Sequence, residues 1–163
     1  MRYIEAPSPA DGARGPMLFL AGGITGCPDW QRNAAQQMKD LRCEVTVLNP
    51  RRPAMPPGDK AHDEQVAWEY AALERATVIL FWFCAETVQP IALYELGRHA
   101  ARGAALAVGA HPQYERRRDV LAQLSHARPD ITVLTSLPET TRCAAALLES
   151  PPRYPSAVST SRS

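Results

Sequence analysis

Long hydrophobic runs are missing from this sequence of 163 residues. No stretch approaches the roughly 18 apolar residues that a membrane-spanning helix needs. The first 15 residues contain acids, prolines and glycines, which interrupt the apolar centre that a secretory signal peptide requires. We therefore expect a soluble cytoplasmic protein with no membrane partner.

An excess of one charge is also missing. The chain has 18 Lys and Arg residues against 17 Asp and Glu residues, and its formal net charge is +1. Proteins that bind long nucleic acids normally show a basic excess, so we expect no long nucleic acid as a partner. The balance does not exclude a single nucleoside, which needs only a few placed groups.

Metal-binding and phosphate-binding signatures are absent as well. The four cysteines, Cys27, Cys43, Cys84 and Cys143, form no CxxC pair, and the four histidines lie at no metal-ligand spacing. We expect unpaired cysteines in a reducing compartment, with no metal and no cofactor. The sequence contains neither a Walker A loop nor a GxGxxG fingerprint.

Proline, by contrast, is abundant, with 15 residues in the chain, well above the usual share of about 5%. The prolines cluster near the start, in the loop 50–57 and near the end. Residues 150–163 are rich in Ser and Pro, which predicts a disordered tail. We expect one domain at residues 17–149, preceded by an N-terminal extension at residues 1–16.

Apolar runs and amphipathic segments alternate along this domain. Strands are predicted at residues 17–21, 44–48, 77–83, 104–108 and 131–134. Helices are predicted at about residues 28–41, 62–75, 90–101, 113–127 and 138–148, with Pro28 at the first position of the first helix. Pro90 opens the third helix, and Val66, Tyr70 and Leu73 form the apolar stripe of the second.

This alternation predicts an α/β fold of the flavodoxin-like type, in which a doubly wound five-stranded parallel sheet lies between two helical layers. The expected strand order is 2-1-3-4-5, with residues 77–83 as the central strand. Ligands of such sheets bind beyond the carboxyl ends of the strands, where the order reverses. The segments that meet there are residues 21–26 and 84–89.

Gly22 and Gly23 form a loop in the first of these segments. Such a loop lets backbone N–H groups approach an anion or a sugar hydroxyl beside a helix N-terminus. The alternative interpretation is a tight strand-to-helix turn with no ligand. Arg51 and Arg52 follow the second strand, where they can grip a phosphate or stack on a base. Their alternative is a charged loop in solvent.

Two glutamates are the candidate chemical groups. Glu95 lies on the third helix among apolar neighbours, where a carboxylate can attack a sugar carbon and form a covalent glycosyl intermediate. Its alternative is a salt bridge with Arg98 or Arg75. Glu69 precedes the central strand between two aromatic residues and can hold sugar hydroxyls. Its alternative is a solvated helix face.

Six motifs in order resemble the nucleoside 2-deoxyribosyltransferase-like family. The resemblance extends from about residue 18 to residue 119. Each motif is weak alone, but the ordered set is specific for the family. The motifs are FLAGGI (19–24), DWQ (29–31), NPRR (49–52), QVAWE (65–69), ILFWF (79–83) and PIALYELG (90–97).

The resemblance implies a flavodoxin-like enzyme that cleaves or transfers the N-glycosidic bonds of 2′-deoxynucleosides. It implies Glu95 as the nucleophile, Glu69 as a group that holds the substrate, and Gly22 and Gly23 as the wall of the sugar pocket. Members of the family often complete each site with an Asn from a neighbouring subunit. A homo-oligomer is therefore implied, although this chain has Asp119 at the matching position.

A second departure from the family pattern concerns the base. The family's transferases carry a base-contacting aspartate six residues before the nucleophile, and this chain has Gln89 there. An amide can form two hydrogen bonds with a base edge but cannot supply a proton as an acid does.

The resulting hypothesis is transfer of a sugar from a nucleoside or nucleotide to a free nucleobase. One alternative is an N-glycosidase that uses water, acting on a nucleoside or its 5′-monophosphate. A further alternative is a non-catalytic nucleotide-binding module.

Overall fold

The computed structural model describes residues 1–54 and 57–150, so the predicted tail lies outside the described residues except for Ser150. The described strands are β1 (Arg2–Glu5), β2 (Met17–Gly22), β3 (Thr46–Asn49), β4 (Val78–Phe83) and β5 (Leu106–Ala110). The described helices are α1 (Trp30–Asp40), α2 (Asp59–Arg75), α3 (Pro90–Ala101), α4 (Arg117–Ala127) and α5 (Leu137–Glu149). Among these helices, none has the length and apolar character needed to cross a membrane.

The five strands form one parallel sheet in the order β1-β3-β2-β4-β5. Helices α1 and α5 pack on one face of the sheet, whereas α2, α3 and α4 pack on the other. Each face of the sheet has its own hydrophobic core, and alternate residues of β4 point to opposite faces. Leu80 packs in the core beneath α1 and α5, and Phe81 packs in the core beneath α2, α3 and α4. The predicted three-layer, flavodoxin-like fold is confirmed.

One edge of the sheet is an element that the sequence did not predict. Strand β1 pairs in parallel with β3, in a register that runs from Arg2 opposite Thr46 to Glu5 opposite Asn49. Ile4 of this strand is buried, and the Asn49 side chain donates a 2.7 Å hydrogen bond to the Tyr3 hydroxyl. This strand has only four residues, and two of them are charged. Its sequence therefore shows neither an alternating nor a continuous apolar pattern.

The opposite edge departs from the prediction in the other direction. Residues 131–134 were expected to be a strand, but they contact β5 through one isolated bridge between Gly109 and Leu134. The Ile131 N–H bonds to the carbonyl of Arg128 in a local turn and not to β5. The segment therefore reaches the sheet only at its end, and the prediction of a strand was wrong.

These two differences move the middle of the sheet by one strand. The predicted central strand, β4, is buried at all six positions, yet it lies between β2 and β5. Strand β2 occupies the middle. The added strand at one edge and the lost strand at the other explain the shift.

Helix α3 begins at Pro90 as predicted, whereas α1 begins at Trp30 and not at Pro28, because the Asp29 side chain caps it by accepting a hydrogen bond from the Arg32 N–H. The apolar stripe predicted for α2 is only partly correct. Leu73 is buried, but Val66 and Tyr70 are 49% and 54% exposed. Gln65 is buried on this helix in their place.

The burial of β1 predicts that the N-terminal strand contributes to stability. We expect Ile4→Ala to lower the free energy of unfolding by about 3 kcal/mol, because the substitution removes buried methyl groups and leaves a cavity. Urea denaturation of the full chain measures this change. The matched control is Arg2→Ala, which alters an exposed side chain of the same strand. Equal effects of the two substitutions would contradict the packing role of β1.

Candidate active site

A cleft of about 580 Å³ opens at the carboxyl ends of β2 and β4. After β2 the chain first crosses to β3 on one side and then returns to β4 on the other side of β2. The cleft lies between β2 and β4, where the strand order reverses. Its volume is in the usual range for a small-molecule pocket. The wall comprises residues from the glycine loop after β2, one face of α2, the loop after β4 and the start of α3.

Close packing explains the two glycines of this wall. A Cβ atom at Gly22 would lie 2.2 Å from the carbonyl oxygen of Trp82, and one at Gly23 would lie 2.3 Å from Cys27 Sγ. The Gly23 carbonyl also accepts hydrogen bonds from the Trp30 indole, at 2.9 Å, and from the Gln31 amide, at 3.2 Å. The loop is therefore held rigidly against the start of α1, and its backbone borders the cleft.

Glu95 lies on α3 and lines the cleft with a half-buried side chain. Arg98 pairs with Glu74 at 2.7 Å and Arg75 pairs with Asp11 at 3.8 Å, so the salt bridge considered for Glu95 is not formed. The pKa of Glu95 is raised to about 7, mainly by burial and also by the negative charge of Glu69, while Arg98 opposes the rise. Within residues 1–54 and 57–150, this carboxylate has no hydrogen bond or salt bridge to offset its burial, and such a group is a candidate for a role in binding or catalysis.

Glu69 lies on α2 and lines the same cleft. Its pKa is also raised by burial, while a hydrogen bond from Gln65 and the charges of His62 and Arg52 oppose the rise. The structure therefore brings together the two glutamates that the sequence singled out. Each is half-buried, and Glu69 acts on Glu95 through its charge.

A chain of side-chain hydrogen bonds orients Glu69. The Gln65 amide nitrogen donates to Glu69 Oε1 and to the carbonyl of Pro50, both at 2.7 Å. The Gln65 amide oxygen accepts from Nε of Arg52, whose guanidinium also bonds to Glu64 at 3.1 Å. Gln65, at the centre of this chain, is 5% exposed, whereas Glu64 at its outer end is exposed. The hydrogen bond from Gln65 holds one oxygen of Glu69 in the cleft wall.

Arg51 has a comparable role on the other side of the loop that follows β3. Its guanidinium donates to the carbonyls of Cys27, at 3.2 Å, and Pro28, at 2.9 Å. Its Nε donates to Gln31 at 3.0 Å and lies 3.6 Å from a carboxylate oxygen of Asp29. Neither Arg51 nor Arg52 is part of the cleft wall. Both brace it from behind, and contact with a phosphate or a base stays a prediction for them.

Gln89 lines the cleft but directs its amide into its own loop. The amide nitrogen donates to the carbonyls of Cys84, at 3.3 Å, and Thr87, at 3.0 Å. The amide oxygen is buried, and no partner for it is found among the described residues. Asp119 lies apart from the cleft on α4, is exposed, and faces Arg116 at 3.6 Å. Base contact by Gln89 and an inter-subunit role for Asp119 stay predictions.

The cleft also contains residues that sequence reasoning did not assign to it. Tyr70, Tyr94 and Ile91 are 54%, 70% and 66% exposed and lie at its open side. The Arg98 guanidinium lies 4.4 Å from the centre of the Tyr70 ring. Tyr70 was predicted to be a core residue because its helical spacing matched Leu73. Only the packing of α2 on the sheet shows that it faces the cleft.

The fold and the site define a three-layer α/β protein with a carboxylate pair in the crevice at the reversal point of its parallel sheet. The family model described as nucleoside 2-deoxyribosyltransferase like matches residues 15–114. The chain belongs to this family. The matched segment includes the glycine loop, Glu69, Gln89 and Glu95, whereas Asp119 lies beyond it. A comparison with curated proteins finds no match.

The coupled carboxylates predict an unusual titration of Glu95. We expect ¹³C NMR of the labelled side chain to give a pKa near 7, as the structure indicates. Because Glu69 raises this pKa through its charge, Glu69→Gln is expected to lower it. Folding favours the protonated form of Glu95, so its contribution to stability is full below about pH 4.5 and is lost as the pH rises through about 7.

Glu149→Gln, an exposed substitution at the end of α5, is the control for the titration. It is expected to leave the pKa of Glu95 unchanged. A Glu95 pKa near the ordinary value of 4.5 in the wild-type chain would contradict the described environment.

Proposed function

We propose that this protein cleaves the N-glycosidic bond of a nucleoside, preferentially a 2′-deoxynucleoside, and transfers the sugar to another nucleobase. The observation that carries the proposal is the half-buried carboxylate of Glu95, which lacks an ion-pair partner in the described part of the chain and lies beside Glu69 in a cleft of about 580 Å³. Membership of the family supports the choice of substrate.

Glu95 is proposed as the nucleophile. Its carboxylate oxygen attacks the anomeric carbon while the bond from that carbon to the base nitrogen breaks, and the bonding electron pair leaves with the base. With a pKa of about 7, roughly half of the Glu95 side chains are ionised near neutral pH. A second base then attacks the same carbon, displaces the glutamate oxygen and completes the transfer.

Glu69 is proposed to hold the sugar hydroxyls. Its Oε1 already accepts a hydrogen bond from Gln65, which leaves the other carboxylate oxygen for the substrate. The backbone at Gly22 and Gly23 forms the opposite wall, where a side chain would clash with Trp82 or Cys27 before it reached a ligand. In this arrangement the sugar lies between α2, α3 and the glycine loop.

The base is proposed to lie against the open side of the cleft. Tyr70 and Tyr94 present exposed aromatic rings there, and such rings stack on nucleobases. The Gln89 amide donates to two carbonyls of its own loop and cannot protonate a leaving group. The departing base therefore takes its proton from solvent on this proposal.

Hydrolysis is the second candidate for the fate of the glycosyl intermediate. The exposure of Tyr94 and Ile91 leaves the cleft of the single chain accessible to water. Water can then replace the acceptor base in the second step. A homo-oligomer, with Asp119 near a neighbouring site, is also part of the proposal and would limit this access.

Substitution of the nucleophile tests the reaction. We expect Glu95→Gln to reduce release of base from a 2′-deoxynucleoside by roughly 10³-fold or more, because an amide cannot form the glycosyl ester. Chromatography measures the released base, with and without a second free base as acceptor. The Glu149→Gln variant, which changes an exposed glutamate, is expected to match the wild-type chain.

Four results bear on the candidates, and the last of them also needs a calorimetric measurement of ligand binding. A new nucleoside in the presence of acceptor base supports transfer, whereas free sugar alone supports hydrolysis. Equal turnover by wild type and Glu95→Gln would refute the role of Glu95. Ligand binding without any base release would favour the non-catalytic binding module.

The braced arginines predict a preference for the unphosphorylated substrate. Arg51 and Arg52 are not part of the cleft wall, and their guanidinium groups already donate to protein acceptors. On this proposal neither contacts a 5′-phosphate, which departs from the expectation drawn from the sequence. We expect kcat/KM to be higher for a 2′-deoxynucleoside than for its 5′-monophosphate. Measurement of both substrates at the same pH tests this, and a clear preference for the monophosphate would contradict it.

A further inference from the structure

Two cysteines that lie far apart in the sequence meet beside the cleft. Cys27 belongs to the loop between β2 and α1, and Cys84 follows β4. One sulfur from each, together with a carboxylate oxygen of Glu86, form a group whose atoms all lie within 4.8 Å of one another. Both cysteines are free thiols. The pairing of β2 with β4 brings the two cysteines together. The sequence did not predict this, because the two cysteines form no CxxC motif.

The group is separate from the proposed catalytic machinery and can be reached from solvent. None of its three residues is part of the described cleft wall. Cys84 is buried, Cys27 is half-buried and Glu86 is exposed. An ion can therefore enter from the Glu86 side and meet the sulfur atoms beneath it.

The donor set favours a thiophilic divalent cation. Two sulfurs and one carboxylate oxygen suit Zn²⁺, whereas Mg²⁺ and Ca²⁺ prefer oxygen alone. Bond lengths of about 2.0–2.3 Å place the ligands of a tetrahedral zinc ion roughly 3.5–3.8 Å apart. A contraction of about 1 Å from the 4.8 Å limit closes the group. The exposed Glu86 side chain is free to make such a movement.

We propose that Cys27, Cys84 and Glu86 bind one zinc-type cation, with water in the fourth position, and that the ion clamps the glycine loop to the loop after β4. This ion site does not depend on the proposed reaction.

The electrostatics of the group agree with binding that displaces protons. Burial raises the pKa of the Cys84 thiol, and the neighbouring Cys27 raises it further, whereas Arg51 opposes the rise. Without an ion, two adjacent thiolates are unfavourable. A divalent cation supplies the charge that allows both sulfurs to lose their protons, so binding releases protons to solvent.

The clamp acts on the cleft wall through direct contacts. Cys27 Sγ lies 3.4 Å from the Thr87 hydroxyl and accepts a weak hydrogen bond from the Gln89 amide at 3.8 Å. A side chain at Gly23 would press on the same sulfur. An ion held by Cys27 and Cys84 therefore fixes the spacing between the glycine loop and Gln89.

Cobalt titration tests the site without any assay of activity. The full chain is fully reduced, stripped with a chelator and titrated with Co²⁺, whose bonds to thiolates give a strong near-ultraviolet charge-transfer band. We expect one Co²⁺ per chain, displacement by Zn²⁺, and a higher Tm with Zn²⁺ but not with Mg²⁺. Cys27→Ser is expected to abolish the band, and Glu86→Gln to weaken binding by about tenfold or more.

The control is the double variant Cys43→Ser/Cys143→Ser, which keeps the proposed site and removes the other two free cysteines. It is expected to bind Co²⁺ as the wild type does. Glu86→Gln alters an exposed side chain, so its fold can be verified by circular dichroism even where Cys27→Ser fails to fold. Absence of a thiolate band in the reduced wild type, or a band that survives in Cys27→Ser and disappears in the control, would overturn the proposal. A wild-type affinity retained in Glu86→Gln would equally refute this ligand set.

Discussion

The parallel pairing of β2 with β4 is the constraint on which the rest of this molecule depends. The register from Leu18 opposite Val78 to Gly22 opposite Trp82 makes the two strands end side by side. Parallel strands need a long crossover, and here the crossover contains α1, β3 and α2. Everything chemically distinctive then follows from two adjacent strand ends: the glycine loop on one, the loop that precedes α3 on the other, and α2 arriving beside both.

The cost of burying a carboxylate in this crevice has to be offset by hydrogen bonds. Residues of the loop after β3 help to supply them from outside the cleft wall. A carboxylate such as Glu69 loses hydration when it is half-buried, and its pKa rises accordingly. The Gln65 amide donates one hydrogen bond to the Glu69 carboxylate, and the Arg52 guanidinium donates one to the Gln65 amide oxygen. Arg51 donates to the carbonyls of Cys27 and Pro28, which follow the glycine loop. The two adjacent arginines thus hold two different segments beside the cleft, which gives the NPRR motif a structural role.

The sequence predicts the fold well where a strand is covered on both faces, because β2 and β4 are then continuous apolar runs. Strand β1 escapes notice, since four residues with two charges are stabilised by pairing with β3 and not by their own pattern. Residues 131–134 have strand composition but find β5 at one position only. The glutamates of the cleft are predictable because their neighbours are apolar. The partners of Arg51 and Arg52 are not, because long side chains reach residues that only the tertiary fold brings near.

The glycines of the cleft and Glu95 are expected to be under different evolutionary constraints. A side chain at either glycine collides with Trp82 or Cys27, so selection for folding alone preserves both, whether or not the cleft retains any activity. Glu95 has the opposite status, because its burial costs stability and no ion pair within residues 1–54 and 57–150 repays that cost. On the proposed mechanism, a descendant that lost the reaction would keep the glycines, whereas Glu95 would be replaced by an uncharged residue. The helix glutamate, and not the glycine loop, is therefore the residue whose loss we expect to mark an inactive relative.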